Sequence, residues 1–177
     1  MLFPHTESQR ITLTSARAAD AGQVYEILFQ LGRAGLPMVD TFVEAFGQGL
    51  AACFLVRRKD TGEVVGFTSL TELSPAGHVQ AEVYVAAGHR DELLVDATML
   101  TANFAFSMWR TRKVYFYTTE KASVALGVDG DHLTMVREEA VLPSHAYFHG
   151  RRWDVNVLAI YRDQWDSCGV DLLKQLL

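Results

Sequence analysis

Residues 78–118 constrain the fold of this chain more than any other stretch. His78–Ala86 alternates strictly, with Val79, Ala81, Val83 and Val85 on one face and His78, Gln80, Glu82 and Tyr84 on the other. That is the pattern of a half-buried strand. A tight loop leads to a long helix starting near Glu92. Leu93, Ala97, Leu100, Phe104 and Met108 form one apolar stripe, and Val95, Met99, Ala102, Phe106 and Trp109 form a second. Only Asp96, Asn103, Ser107 and Arg110 leave a narrow polar strip, so the helix is buried on most sides. Val114–Thr118 is the next strand. A strand that returns to its sheet through a crossover helix lies parallel to the strand it left.

The remaining elements surround this unit. Arg10–Thr14 alternates Ile11 and Leu13 with polar residues and predicts a first strand. A helix begins at Asp20, carries Val24, Ile27, Leu28 and Leu31 on its buried stripe, and is broken by Gly32, Gly35 and Pro37. Val39–Phe46 predicts a short helix. Cys53–Arg57 and Val64–Leu73 predict strands joined by the turn Lys59–Glu63. Ala122–Leu126 predicts a helix ending at Gly127, and Leu133–Val141 and Trp153–Tyr161 a hairpin across His149 and Gly150. Leu172, Leu173, Leu176 and Leu177 suggest a terminal helix. The fold class is α/β (α+β): a mixed, mostly antiparallel sheet of about seven strands flanked by about four helices. With no linker or repeat, residues 1–177 read as a single domain.

Composition narrows the function. A formal net charge of −5 leaves no basic footprint for nucleic acid and argues against a membrane surface. The most apolar stretch, near 93–109, is interrupted by Asp96, Asn103 and Ser107 and does not read as a membrane span. Met1–His5 lacks the basic and apolar regions of a signal peptide. Cys53 and Cys168 form no close pair, which fits a cytoplasmic protein with reduced thiols.

The ending Tyr147-Phe148-His149-Gly150-Arg151-Arg152-Trp153-Asp154-Val155-Asn156-Val157-Leu158-Ala159-Ile160-Tyr161-Arg162 resembles the closing hairpin of GNAT-type N-acetyltransferases. The likeness is greatest to the ribosomal-protein N-terminal acetyltransferase branch, which acetylates protein N-termini, and to enzymes acting on small amines. The element order resembles the GNAT fold over about residues 10–165. The resemblance implies one acyltransferase domain whose parallel strands splay to admit acetyl-CoA or another acyl thioester. It implies that backbone groups of Val83, Tyr84 and Val85 pair with the pantetheine arm. It also implies that the loop and helix start at His89, Arg90, Asp91, Glu92, Leu93 and Leu94 hold the pyrophosphate, since helix-start amides and the helix dipole attract anions. The family's loop normally reads Arg or Gln, two residues, Gly, one residue, Gly or Ala. Here Ala87-Gly88-His89-Arg90-Asp91-Glu92 keeps an early glycine, and side chains stand at the later glycine positions. Asp91 and Glu92 suit a helix start but are poor neighbours for a pyrophosphate, which His89 and Arg90 offset in part. Four readings follow: CoA with an adapted loop, an acyl group on a carrier protein's phosphopantetheine, an aminoacyl-tRNA donor, or a module that binds without catalysis. A homodimer is compatible with the resemblance.

Acyl transfer to an amine needs a base, a polarised carbonyl and an acid for the leaving thiolate. Glu82 is the candidate base; the competing role is that of an ion-paired strand glutamate. Ser123, in the segment Glu120-Lys121-Ala122-Ser123, matches the family's serine and is a candidate acid; as a helix-start residue it could instead cap amides. Tyr117 is a second candidate acid, with Tyr115 on the same face and Tyr84 on the neighbouring strand; strand tyrosines otherwise pack and make one hydrogen bond. Phe29, Gly35, Tyr147 and His149 are candidates for binding a small-molecule or peptide amine acceptor, with the Gly32–Pro37 loop as a lid or a plain turn. His145 and His149 stand four apart but have no third ligand near them, so no metal is expected. Cys53 reads as a small core residue rather than a nucleophile.

Overall fold

The computed structural model describes residues 4–33 and 35–177. Residues 1–3, and Ala34 of the expected lid loop, lie outside the described residues. Seven strands form one sheet: β1 (Ile11–Ser15), β2 (Leu50–Arg58), β3 (Val64–Ser74), β4 (His78–Val85), β5 (Lys113–Thr118), β6 (Val136–Phe148) and β7 (Arg151–Tyr161). Their order is β1-β2-β3-β4-β5-β7-β6. Every neighbouring pair is antiparallel except β4 and β5, which are parallel as the crossover requires.

Strand alternation divides the core into two layers. Ile11, Phe54, Val56, Leu70, Val79, Ala81, Val85, Val114 and Phe116 pack with the long helix α3 (Arg90–Met108). Leu55 and Phe67 point the other way and pack with Val24 and Leu28 of α1 (Ala21–Gln30) and with Phe42 of α2 (Val39–Ala45). Neither helix is long enough to be stable alone, so packing against the sheet stabilises both.

The polar strip of α3 is less exposed than expected, because Asp96 and Asn103 are fully buried. Asp96 accepts from Ser8 Oγ at 2.6 Å and Arg10 Nε at 3.2 Å, and a second guanidinium nitrogen of Arg10 completes the ion pair. A buried carboxylate needs such partners. This one ties the start of the chain to the middle of α3. Met108, expected on a buried stripe, is exposed.

β6 differs from expectation at both ends. β6 begins at Val136 rather than Leu133, since Gly130–Met135 forms a 3₁₀ turn in which Thr134 Oγ1 donates to Asp131 O. Side-chain-to-backbone bonds of that kind compete with a strand ladder. β6 then runs to Phe148, and the hairpin turns on His149 and Gly150, both at positive φ (50° and 74°). Positive φ at both central residues matches the right-handed twist of the flanking strands.

After α4 (Ala122–Leu126) and the hairpin, the tail forms a short helix α5 (Arg162–Gln164), a π-helical turn (Trp165–Gly169) and α6 (Val170–Leu176). Trp165 is fully buried and stacks on Phe106 with ring centroids 5.5 Å apart. Arg162 donates to the carbonyls of Phe106, Trp109 and Thr111, satisfying groups at the C-terminal end of α3. Among the described residues no helix is long and apolar enough to cross a membrane.

Replacing Asp96 with Asn removes the charge that Arg10 and Ser8 address. The expected loss is about 2–3 kcal/mol, below that of a fully enclosed pair because Arg10 reaches water. A lower urea midpoint with an unchanged slope checks it, with exposed Asp166→Asn within about 0.5 kcal/mol of the parent.

Candidate active site

The ladder between β4 and β5 holds only at His78↔Lys113, Val79↔Val114 and Gln80↔Tyr115. Beyond these pairs the strands part. β4 stays in the sheet through β3, as far as Gly66↔Val85, and β5 through β7, as far as Thr118↔Asn156. The inner edges of Ala81–Val85 and Phe116–Thr118 therefore face a gap rather than each other. Gly66 helps to hold β4 back. A Cβ there would lie 2.2 Å from Tyr84 O, so only glycine lets β3 approach β4 this closely. At the far end Asn156 Nδ2 donates to Glu120 O at 3.0 Å and fixes the loop after β5.

The gap is a cleft of about 280 Å³. Ala81–Val85 form one wall and Phe116–Glu120 the other. Leu94, Ala125 and Leu126 close the inner side, and Gly32 and Phe148 stand at its rim. The start of α3 lies at one end. Its N-cap, His89, makes no side-chain capping bond, which leaves the first-turn amides without that partner. Asp91 and Glu92 are exposed in the first turn.

Arg90 lines the cleft, but its guanidinium is held by Glu120, in an ion pair with both carboxylate oxygens, and by Val124 O at 3.1 Å. His89 Nδ1 accepts from Arg58 Nη1 at 3.2 Å, and the same nitrogen lies 3.8 Å from Glu92. Arg58 thus joins the loop although it comes from β2, too far in sequence for local reasoning to find it. Leu93 is buried in the core, and buried Leu94 faces the cleft.

Glu82 sits on the other wall, half-buried, and its environment comes from the end of α1. Gly32 takes φ +66°, Gly32 N–H donates to Phe29 O and Arg33 N–H to Leu28 O. This is a Schellman closure, which needs glycine at its left-handed position. It delivers Arg33 to the sheet. Arg33 Nη2 donates to both Glu82 oxygens at 3.0 and 3.1 Å, and Nε donates to Tyr84 Oη at 2.9 Å. Ser69 Oγ, directly across the strand pair, lies 3.4 Å from Glu82 Oε2. Burial works against the Arg33 charge, but Tyr84 and Glu82 outweigh it and hold the guanidinium pKa above its usual value. Burial, then the charge of Glu82, pushes the Tyr84 phenol up to about 12, with Arg33 pulling the other way. The sequence offered a signal for Arg33, the residue following a helix-ending glycine, but that signal does not say what the side chain reaches.

The other expected residues scatter. Tyr117 lines the cleft at its exposed rim. Tyr115 is turned away into a cluster in which Glu139 accepts from Tyr115 Oη at 2.8 Å, from Lys113 Nζ at 3.1 Å and from Tyr161 Oη. Ser123 lies in the first turn of α4 and lines a separate groove with Arg90, Asp91 and Leu94. Phe29 is exposed and stacks on Tyr25. Gly35 is exposed at φ +70° with nothing within 4 Å of a built Cβ. Tyr147 is exposed, and Phe148 rather than Tyr147 reaches the cleft. His149 reaches back toward α1, its Nε2 lying 3.4 Å from where a Gly32 Cβ would stand.

Known structures share this architecture. The spermidine N-acetyltransferase of Vibrio cholerae, solved with CoA and spermine, matches 88% of this chain and 97% of that one, with a TM-score of 0.68 at 15% identity. A chimera of the Vibrio cholerae enzyme and hSSAT reaches a TM-score of 0.72 at 16% identity, over 88% of this chain and 97% of that one. A probable acetyltransferase of the GNAT family from Chromobacterium violaceum matches 91% of this chain and 87% of its own, with a TM-score of 0.68 at 17% identity. The fold is the GNAT fold. No family model matches the sequence, and no curated protein matches it. The expected fold class is therefore observed, with the parallel pair at the position where this fold opens.

The raised phenol makes stability depend on alkaline pH. Unfolded Tyr84 ionises near its ordinary 10.0 and folded Tyr84 at about 12, so the folded state keeps a proton that the unfolded state releases. Stability should fall as pH climbs from about 10 through about 12, by about 2 kcal/mol. Urea midpoints across that range check it, and Tyr84→Phe should remove this component of the loss.

Proposed function

We propose that residues 1–177 form one N-acyltransferase domain. It moves an acetyl or other acyl group from a CoA-type thioester to a primary amine by direct attack. The observation that carries this reading is the incomplete β4–β5 ladder, which leaves strand-edge backbone groups facing a cleft of about 280 Å³. Such edges match the amides of an extended pantetheine arm, which would add to β4 as a strand does. The solved neighbour bound to CoA and spermine supports a thioester donor and an amine acceptor.

In this reading the backbone of Val83, Tyr84 and Val85 holds the arm, and the uncapped amides at the start of α3 receive the phosphates. Glu82 takes the proton from the attacking amine, directly or through one water, while Arg33 fixes its orientation. Tyr117, on the cleft wall, is better placed than Ser123 to protonate the departing thiolate. Two free thiols, Cys53 and Cys168, are consistent with the reducing cytoplasm.

A specific observation favours a second donor. Asp91 and Glu92 stand exposed beside the phosphate position, and Arg90 is engaged by Glu120. This altered loop suits an acyl group on a carrier protein's phosphopantetheine, which lacks the adenosine pyrophosphate. The likeness of the closing hairpin to ribosomal-protein N-terminal acetyltransferases keeps a peptide N-terminus among the acceptors.

Thermal shift separates the donors. CoA at about a hundred times its Kd should add about 2.7 kcal/mol, raising Tm by about 5–10 °C. A shift with pantetheine and none with CoA selects the carrier-bound donor, and no shift with either overturns the transferase reading. Glu82→Gln should lower kcat at least about a hundredfold and flatten its acid limb. An unchanged rate and pH profile would remove Glu82 from the mechanism.

A further inference from the structure

A second cavity of about 200 Å³ lies behind Glu82, between α1, α2 and β3. Its walls are mostly apolar, with Thr41 and Gln48 also lining it. Phe42, Phe46 and Phe67 form a continuous aromatic surface, with ring centroids 5.8 Å apart for the first pair and 6.2 Å for the second, and Leu28 adds to it. Its polar end is made by Arg33, Ser69 and Glu82. Glu82 also lines the β4–β5 cleft, so one carboxylate borders both spaces.

From this juxtaposition, and resting on the transferase reading above, we infer that the cavity receives the acceptor, and that the acceptor is a small primary amine on an apolar or aromatic body. Charge decides the class. A polyamine would bring several ammonium groups to a pocket whose one lining carboxylate is already paired with Arg33, beside that guanidinium's own positive charge. Ammonium groups buried among phenylalanines without counter-charge are strongly disfavoured. An amine with a single nitrogen places it at Glu82 and Ser69 and gains by burying the rest against the aromatic walls. Size agrees, since about 200 Å³ is below the range of drug-sized pockets and suits a ligand of phenethylamine dimensions.

The step balances on these groups. The neutral amine nitrogen attacks the thioester carbonyl and forms the C–N bond. The C–S bond breaks, Glu82 accepts the proton lost by nitrogen, and Tyr117 Oη gives a proton to the leaving sulfur, which departs as a free thiol. The rival occupant is a long acyl chain on the donor. The polar end argues against it, because a methylene chain would have to pass Glu82 and Arg33 to reach the apolar walls.

The test uses the full chain with acetyl-CoA, compares phenethylamine, ethanolamine and spermidine, and repeats phenethylamine with hexanoyl-CoA as donor. It repeats the series in Ala45→Phe, which puts a ring into the cavity from an exposed position on α2. The expected result is a kcat/KM for phenethylamine at least about tenfold above that for spermidine. Ala45→Phe should lower the phenethylamine value by about tenfold or more, lower the ethanolamine value by much less and preserve the thermal shift with CoA. Turnover favouring spermidine, or an Ala45→Phe enzyme that keeps phenethylamine and loses only hexanoyl-CoA, overturns the assignment while the transferase reading stands. Absence of a thermal shift with any donor overturns that reading, and the assignment falls with it.

Discussion

Two parallel strands that share a ladder of only three residue pairs organise this molecule. A sheet normally gains by pairing every inner strand along its length, because unpaired backbone groups away from water are costly. Here β4 and β5 forgo part of that pairing and are held apart by their outer neighbours. β3 fixes β4 through close backbone approach at Gly66, and β7 fixes β5 through a continuous antiparallel ladder. The opening is therefore set by covalent connectivity and sheet register rather than by a flexible loop. It is prepared before any ligand arrives, which reduces the ordering entropy of binding.

Around that opening the charges are tightly engaged. Arg33 is committed to Glu82 and Tyr84, Arg90 to Glu120, and Arg58 to Asp60 and His89. The first of these joins the end of α1 to the middle of β4. A guanidinium fork is suited to this task, because it meets a carboxylate and a phenol from one rigid plane. The second anchors the start of α3 to the loop after β5. The first braces the β4 wall alone, and the second ties the end of the cleft at α3 to the loop after β5.

Much of the architecture was legible in the sequence, and the reasons are local. The strict alternation of His78–Val85, the apolar circumference of α3 and the helix-ending Gly127 each have short-range causes, and each element formed where those causes lie. The crossover rule then gave the parallel pair without any tertiary information. β6 was misplaced at its start because the turn chemistry of Gly130–Met135 outranked the apolar pattern of Leu133 and Met135. The site was less legible. Glu82 and the β4 edge could be found from alternation and the crossover. Arg33 and Arg58 could not, because their roles depend on where distant loops return to the sheet. Gly66 lies inside the strand expected at Val64–Leu73, and a glycine within a strand can mark a close backbone approach.

Gly66 has a consequence for how this sequence can change over generations. The cavity behind Glu82 is walled by side chains that can be exchanged for others of different size. Position 66 has no such latitude, since the smallest addition meets the carbonyl oxygen of Tyr84. Side chains around the cavity can therefore vary in size, while this hydrogen-sized spot on the third strand is held to glycine by backbone contact.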